Sequence, residues 1–393
     1  MNNFNLWYEN EIDSNCQIDD ATYINRTIID TLRESSIPVN IKTTTQELDP
    51  KDFNFYVIEL CNVYNKFDIF SLIPFTTKKL FEKGLILLIY YPREGHELDE
   101  WFLRLYNNIL ANGLINFKIY FIFGDIDFKE NYEKFLNKHN LENFLLPISI
   151  DYFAGDYLAK VDTCNLNIEY EKQYDYLFYN GTFRPHRLYA VSELSNKNIL
   201  DYGLVSLTDN ALTKESFTLK QCTEVLKQVG AYSTHLQQFV DNFEPIILDL
   251  NANEFTEDNI NYTIISHYEQ TYFSVISETN ITTRFITEKI YKPIYNLHPF
   301  ILIGAPRILE YLRSKGYVTF EEMFNENYDL ELNPVKRVNL VISEIEKFTK
   351  KTPQQKKIIF DKIKPKLIHN RQHYMIQTKN NRKKELLKIF KKY

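Results

Sequence analysis

The chain has 393 residues, 44% hydrophobic and 25% charged, with a net charge of −6; this is length for two domains with separate cores and the composition of a soluble globular protein. No run approaches the ~18 consecutive apolar residues of a membrane helix, and Met1-Asn2-Asn3-Phe4-Asn5-Leu6-Trp7 lacks the basic stretch and apolar core of a signal peptide, so a cytoplasmic protein without a transmembrane segment is expected. Cys16, Cys61, Cys164 and Cys222 are scattered without metal-ligand spacing and read as free thiols in a reducing compartment.

Short, nearly continuous apolar runs at Phe55–Cys61, Phe70–Pro74, Leu85–Tyr91, Phe117–Phe123 and Phe144–Ile150 predict strands buried on both faces. Between them Leu98, Trp101, Phe102, Leu105 and Ile109 recur at helical spacing, and Phe128–His139 reads as a further helix. The stretch Asp151–Lys172 is irregular and polar, which places a domain boundary near 165. A second series then begins with the strand Tyr176–Tyr179 and a helix carrying Leu188, Val191 and Leu194. Strands follow at Tyr202–Leu207, Pro245–Leu250, Tyr272–Ser277 and Pro299–Gly304, then a helix with Ile308, Leu309 and Leu312 that Gly316 closes. Strands alternating with helices predict α/β architecture, divided into residues 1–165, 166–346 and a basic helical segment 347–393. From Lys347 onward there are 16 Lys/Arg against 2 acids, which leaves the remainder at a net of −20. Such a tail is either a helix packed on the acidic body or a handle for nucleic acid, a phosphorylated glycan or another anionic surface.

Three segments carry candidate chemistry. The first is Arg284-Phe285-Ile286-Thr287-Glu288-Lys289, placed after the strand end Ser277-Glu278-Thr279. A helix start between two buried strands offers unpaired N–H groups and a positive dipole end to phosphate. Lys289 adds a point charge there, and Glu288 can accept from ribose hydroxyls. The second is Asn180-Gly181-Thr182-Phe183-Arg184-Pro185-His186-Arg187, also after a strand and at a helix start. Arg184 and Arg187, three apart, are expected on one helical face, where a guanidinium can grip a pyrophosphate through paired hydrogen bonds. The third is Tyr91-Pro92-Arg93-Glu94-Gly95-His96-Glu97, where Glu94, or His96 in its place, can take a proton from an acceptor hydroxyl. The bland account of each is a solvated helix start. Gly124-Asp125-Ile126-Asp127 resembles a divalent-cation pair but reads better as the cap of the helix from Phe128. His267, His298 and His373 share no ligand spacing and are read as structural, so no metal is expected.

Phe285-Ile286-Thr287-Glu288-Lys289 resembles the donor-binding motif of the α1,3-fucosyltransferases, an aromatic-aliphatic-Thr-Glu-Lys helix start. In that family a Phe-Glu-Asn-type strand end precedes it and an apolar strand follows. Glu278 lies nine residues before Thr287, the spacing typical there, and Pro299-Phe300-Ile301-Leu302 is similar to the family's Val-Pro-Val-Val strand. Thr279 stands where the family has Asn, and Lys292-Pro293 has no family counterpart. The resemblance covers roughly residues 175–320. It implies two Rossmann-like domains in a GT-B arrangement and a metal-independent, inverting glycosyltransferase using a guanosine-based sugar nucleotide. It further implies a hydroxyl acceptor such as a glycan, Glu278 near the sugar or the leaving diphosphate, and a first-domain carboxylate as base. The candidate donor-binding set is thus Asn180, Arg184, Arg187, Ser277, Glu278, Thr287, Glu288 and Lys289. The alternatives are a non-catalytic nucleotide- or glycan-binding module and a nucleic-acid-modifying sugar transferase.

Overall fold

The computed structural model describes residues 4–8, 39–49, 51–60, 70–71, 73–91, 94–151, 172–208, 217–248 and 264–391. The chain divides into two compact units, Met1–Gly155 with Thr378–Tyr393, and Asp156–Gln377.

Unit 1 is built on a six-stranded parallel sheet of β1 (Phe4–Tyr8), β2 (Val39–Thr43), β3 (Phe53–Glu59), β4 (Ile86–Tyr91), β5 (Ile119–Phe123) and β6 (Leu145–Ser149), in the order β2-β1-β3-β4-β5-β6. Helices α1 (Phe75–Glu82), α2 (Glu100–Ala111) and α3 (Phe128–His139) alternate with the later strands. Side chains alternate between two apolar layers: Leu87, Ile89, Tyr91, Phe121 and Phe123 lie in one, and Leu88, Tyr90, Tyr120 and Ile122 in the other. This double burial explains why these strands are apolar throughout.

Two features of unit 1 depart from the sequence pattern. The first is β1, interrupted by Asn5, which is nonetheless fully buried. Asn5 Nδ2 donates to Asn54 Oδ1 (2.8 Å), Asn40 Nδ2 donates to Asn5 Oδ1 (3.1 Å) and Trp7 Nε1 donates to Asn54 Oδ1 (3.0 Å). This ladder of asparagines across three strands, completed by the Asp52 carboxylate and the Asp49 and Asp52 carbonyls, lets a polar residue sit in a strand core. The second is Phe70–Pro74, where the described residues form no strand: Phe70 and Ser71 lie in a 3-10 turn, and Pro74 is the N-cap of α1. Phe70 and Ile73 are apolar because they enter the core beside α1.

Unit 2 has a four-stranded parallel sheet of β7 (Tyr174–Phe178), β8 (Gly203–Val205), β9 (Thr271–Ser277) and β10 (Phe300–Ile303), ordered β10-β9-β7-β8. Its helices are α4 (Pro185–Asn196), α5 (Leu219–Gln228), α6 (Thr234–Asp241), α7 (Ile265–Gln270), α8 (Glu288–Tyr295), α9 (Ile308–Ser314), α10 (Pro334–Thr349) and, as far as Gln377, α11 (Pro353–Lys391). The strand expected at Pro245–Leu250 is absent among the described residues. Ile246 makes only an isolated bridge to Leu207, and Ile247 is 56% exposed, so the apolar pair there lacks a sheet to bury it. Gly316 follows α9 at φ +94°, with Tyr317 N–H donating to Leu312 O, the left-handed helix end assigned to it.

The basic tail packs on unit 2 over its described side chains. Phe360, Ile363, Leu367 and Tyr374 are buried, Lys356 pairs with Asp175, and Lys366 Nζ lies 2.6 Å from Glu322. Position 347 falls inside α10. Among the described residues no helix is long and apolar enough to cross a membrane. Of the four cysteines only Cys222 is described; it is buried and in no disulfide. The proposed boundary near 165 lies outside the described residues.

Candidate functional site

The strand order of unit 2 defines a switch point. The chain leaves β7 through α4 to β8 on one side, and leaves β9 through α8 to β10 on the other. The loops after β7 and β9 therefore lead to opposite sides, and the carboxyl ends of these two adjacent strands are the place where open α/β sheets bind ligands.

On one side of the switch point is the Asn180–Thr182 turn. Asn180 is buried, donating N–H to Ser206 Oγ (3.0 Å) and Nδ2 to Ser206 O (3.1 Å), and Thr208 N–H donates back to Asn180 O (3.2 Å). The turn is thus fastened to the loop after β8. Arg184 follows as the N-cap of α4 in extended conformation, ahead of Pro185, and its guanidinium sits 5.5 Å over the Phe217 ring. Arg187 is different. It is 4% exposed, with Nη1 donating to Thr182 O (3.1 Å) and Oγ1 (2.9 Å) and Nη2 to Ser277 O (3.2 Å). The two arginines therefore do not share an exposed helical face. Arg184 precedes the helix, and Arg187 braces the turns from within. His186 completes the brace through Nε2–H to Glu278 O (2.9 Å).

On the other side is the segment from Ser277 to α8. Glu278 is fully buried; its carboxylate accepts from Thr287 N–H (3.1 Å) and Thr287 Oγ1–H (2.7 Å). The nine-residue spacing has a local physical role: it closes the loop from strand end to helix start. Thr287 caps α8, and Lys289 Nζ lies 3.1 Å from Thr287 Oγ1 and 3.2 Å from Glu288 Oε1, with about a third of its side chain exposed. Phe285 and Ile286 are buried and anchor the loop.

The electrostatics tie these residues into one cluster. Burial lowers the Arg187 pKa to about 10, with Arg184 adding to the effect and Glu278 and Glu288 opposing it. Burial holds His186 at about 3, helped by Arg187, so its ring is neutral. Glu278 is raised by burial against the pull of Lys289 and Thr287. Burial also opposes ionisation of Glu288, but Lys289 and Lys292 outweigh it and hold its pKa below the usual carboxylate range. Arg184, Arg187, Glu278, Glu288 and Lys289 thus form one coupled cluster at the switch point.

Arg337, on α10, was not among the residues singled out from the sequence. It is 3% exposed and donates through Nε to Gly304 O (2.7 Å) and through Nη1 and Nη2 to Glu331 O and Ile281 O. It ties the loops after β9 and β10 together beneath the sheet edge, and burial lowers its pKa to about 10. The available signal was its place four residues before Val341 and eight before Ile345 on the apolar stripe of its helix.

In unit 1, Glu94 and His96 follow β4. His96 Nδ1 lies 3.6 Å from Glu94 Oε2, and the ring is framed edge-on by Tyr91, Trp101 and Phe123. Glu94 O accepts from Gly124 N–H (2.9 Å), which fixes the loop to the end of β5. Pro92 and Arg93 lie outside the described residues. Asp125 is buried and organises the start of α3, accepting from Asp127 N–H (2.9 Å) and Asn131 Nδ2 (2.7 Å); Asp127 is the N-cap but makes no side-chain cap bond. Among the described residues no group of acids, histidines and cysteines is placed to hold a metal. His298 donates Nε2–H to Thr271 O (2.9 Å) and accepts from Ser274 Oγ–H (2.7 Å).

No family model matches the chain, and no curated protein matches its sequence. Among solved structures it is similar to phage T4 BGT in complex with its UDP-glucose substrate (11% identity, TM-score 0.43, 98% of each chain). It is similar as well to a DNA-modifying β-glucosyltransferase solved with and without uridine diphosphoglucose (11%, 0.44, 99% of each chain). A third likeness is to a UDP-forming α,α-trehalose-phosphate synthase from Burkholderia xenovorans (11%, 0.44, 91% of this chain and 78% of that one). At these values the likenesses carry no conclusion about this chain's chemistry.

Proposed function

We propose that unit 2 binds a nucleotide-diphosphate sugar at the carboxyl edge of its sheet and that the protein is a glycosyltransferase. The observation that supports this reading is the gathering of two helix starts, Arg184 and Lys289 around the switch point, beside the buried brace of Arg187 to Ser277 O and His186 to Glu278 O. Lys289 and the α8 start would meet the diphosphate, and Glu288 the ribose hydroxyls. In the inverting reaction the acceptor oxygen bonds to the anomeric carbon as the bond from that carbon to the diphosphate oxygen breaks. The diphosphate leaves with the electron pair, and the acceptor's proton passes to a base, for which Glu94 is the candidate. Glu278 acts at one remove: its carboxylate is engaged by Thr287, so it holds the helix start in place. Charge stabilisation by Lys289, Arg184 and the helix start makes the proposed reaction metal-independent, with a GDP-linked donor as the first choice.

The test is a thermal-shift screen of GDP- and UDP-linked sugars, followed by a hydrolysis assay on any stabilising donor, with and without EDTA. A cognate donor raises the melting temperature by mass action, and a transferase slowly hydrolyses it in either buffer. Binding without turnover would identify a binding module instead.

A further inference from the structure

We propose that unit 2 carries a second ligand site, apart from the Lys289 patch, that binds one ring of a neutral saccharide beside α4 and α6. The proposal goes beyond the donor-site reading and does not depend on it. A solvent-facing cavity of about 420 Å³ lies there, within the range of about 300–1,000 Å³ usual for small-molecule sites. His235, Gln238, Phe239 and Asn242 line it; they recur at three- and four-residue spacing and so share one face of α6. Ser195, near the end of α4, lines it as well. Ser195 stands eleven residues after Arg184, about 16 Å along the helix, which sets this part of the cavity away from the helix start proposed for the diphosphate. The walls are fixed by the fold. His235 Nε2–H donates to Ser192 O (3.0 Å), and Ile246 exchanges two backbone bonds with Leu207 (2.9 and 3.0 Å).

The lining names the ligand class. Phe239 and Phe243 are only partly buried, with ring centroids 6.0 Å apart, and Phe243 packs edge-on against buried Phe183 at 5.4 Å. They give the cavity aromatic surface whose negative ring faces suit the C–H side of a sugar. Around them stand the Ser195 hydroxyl, the Gln238 amide and the exposed Glu244 carboxylate. Asn242 Nδ2 is engaged by Gln238 O (2.8 Å), so its Oδ1 is the end that accepts. Among the described residues the lining holds one carboxylate and no lysine or arginine, the reverse of the donor edge. That charge repels phosphate and nucleic acid, and it accepts from sugar hydroxyls. A ligand apolar throughout strips water from four polar side chains and returns no hydrogen bond. A neutral ring with hydroxyls at its edge and C–H groups on its face meets both parts of the lining.

The test is saturation-transfer NMR and calorimetry on the full chain, with maltose, lactose and N,N′-diacetylchitobiose as neutral probes and glucose 6-phosphate as the anionic control. At least one neutral disaccharide should bind, and more tightly than glucose 6-phosphate. Glu244→Gln, at an exposed position, should weaken that disaccharide about 10-fold, the loss of a charge-assisted hydrogen bond. Phe239→Leu keeps apolar volume and removes the ring face, so it should weaken the disaccharide as well, with melting temperatures checking that the variant is folded. Both variants should bind GDP and UDP as the wild type does. No binding of any neutral probe up to about 10 mM overturns the proposal, as does a disaccharide affinity unchanged in both variants or a preference for glucose 6-phosphate. Wild-type protein that binds a disaccharide in a Glu244-dependent way but no nucleoside diphosphate supports this site and overturns the donor-site reading alone.

Discussion

Replacing Arg337 with Met tests whether a buried guanidinium holds the donor edge together. The change keeps an apolar stem in α10 and removes donors to Gly304 O, Glu331 O and Ile281 O at one stroke. Hydrogen bonds to a charged donor contribute about 1.5–3 kcal/mol each, and a buried carbonyl left without a partner costs about 1–3 kcal/mol. Removing the guanidinium also removes its desolvation penalty, which already lowers its pKa. The net loss should be on the order of 3 kcal/mol, which for a unit of about 150–250 residues lowers the melting temperature by about 6–12 °C. Circular dichroism melts of wild type, Arg337→Met and Arg337→Lys provide the assay, with the lysine variant intermediate because it keeps the charge and fewer donors. Because Ile281 lies between β9 and α8, nucleotide affinity should fall even where the Met variant is folded. A Met variant that melts within about 2 °C of wild type would refute the brace.

Further outcomes concern the proposed chemistry and the buried histidines. Lys289→Ala should lower transfer about 100-fold if the leaving diphosphate is met there; near wild-type turnover would remove that role. Glu94→Gln should abolish transfer and leave donor affinity intact, so loss of both in calorimetry would contradict a role as base. His186 and His298 are held neutral by burial, each at about 3 against an unfolded value near 6.5. The unfolded chain therefore binds more protons in this window. Stability is full above about pH 6.5 and falls toward pH 3, by up to about 1.4 kcal/mol per pH unit for each ring. Buried Glu278, Asp329 and Asp175 are raised and work in the opposite sense, contributing stability at low pH that is lost as pH rises through their raised values. His298→Gln isolates one histidine: denaturation midpoints should depend less on pH between 6.5 and 5, and an unchanged slope would contradict the assignment.

How much of this was readable in the sequence depended on whether a residue's role was local. β4, β5, β7, β9 and β10 are apolar runs buried on both faces, and the pattern marks them directly. The start of α8 was equally legible, because Thr287, Glu288 and Lys289 act within one helical turn of each other. Strand β1 was hidden because Asn5 is satisfied by Asn54, Asp52 and Asn40, all distant in sequence. Phe70–Pro74 misled because burial against a helix leaves the same composition as burial in a strand. Arg187 looked like a ligand by spacing from Arg184, but its partners Thr182 and Ser277 are set by the fold, and they turn it inward. Arg337 bonds only main-chain carbonyls, which no sequence motif records.

The most direct measurement is a calorimetric titration of the full chain with GDP and UDP, repeated on Lys289→Ala. The account predicts that one nucleoside diphosphate binds the wild type and that the alanine variant binds it at least ~10-fold more weakly, about 1.4 kcal/mol. Equal affinity in both proteins, or no binding by the wild type, would contradict it.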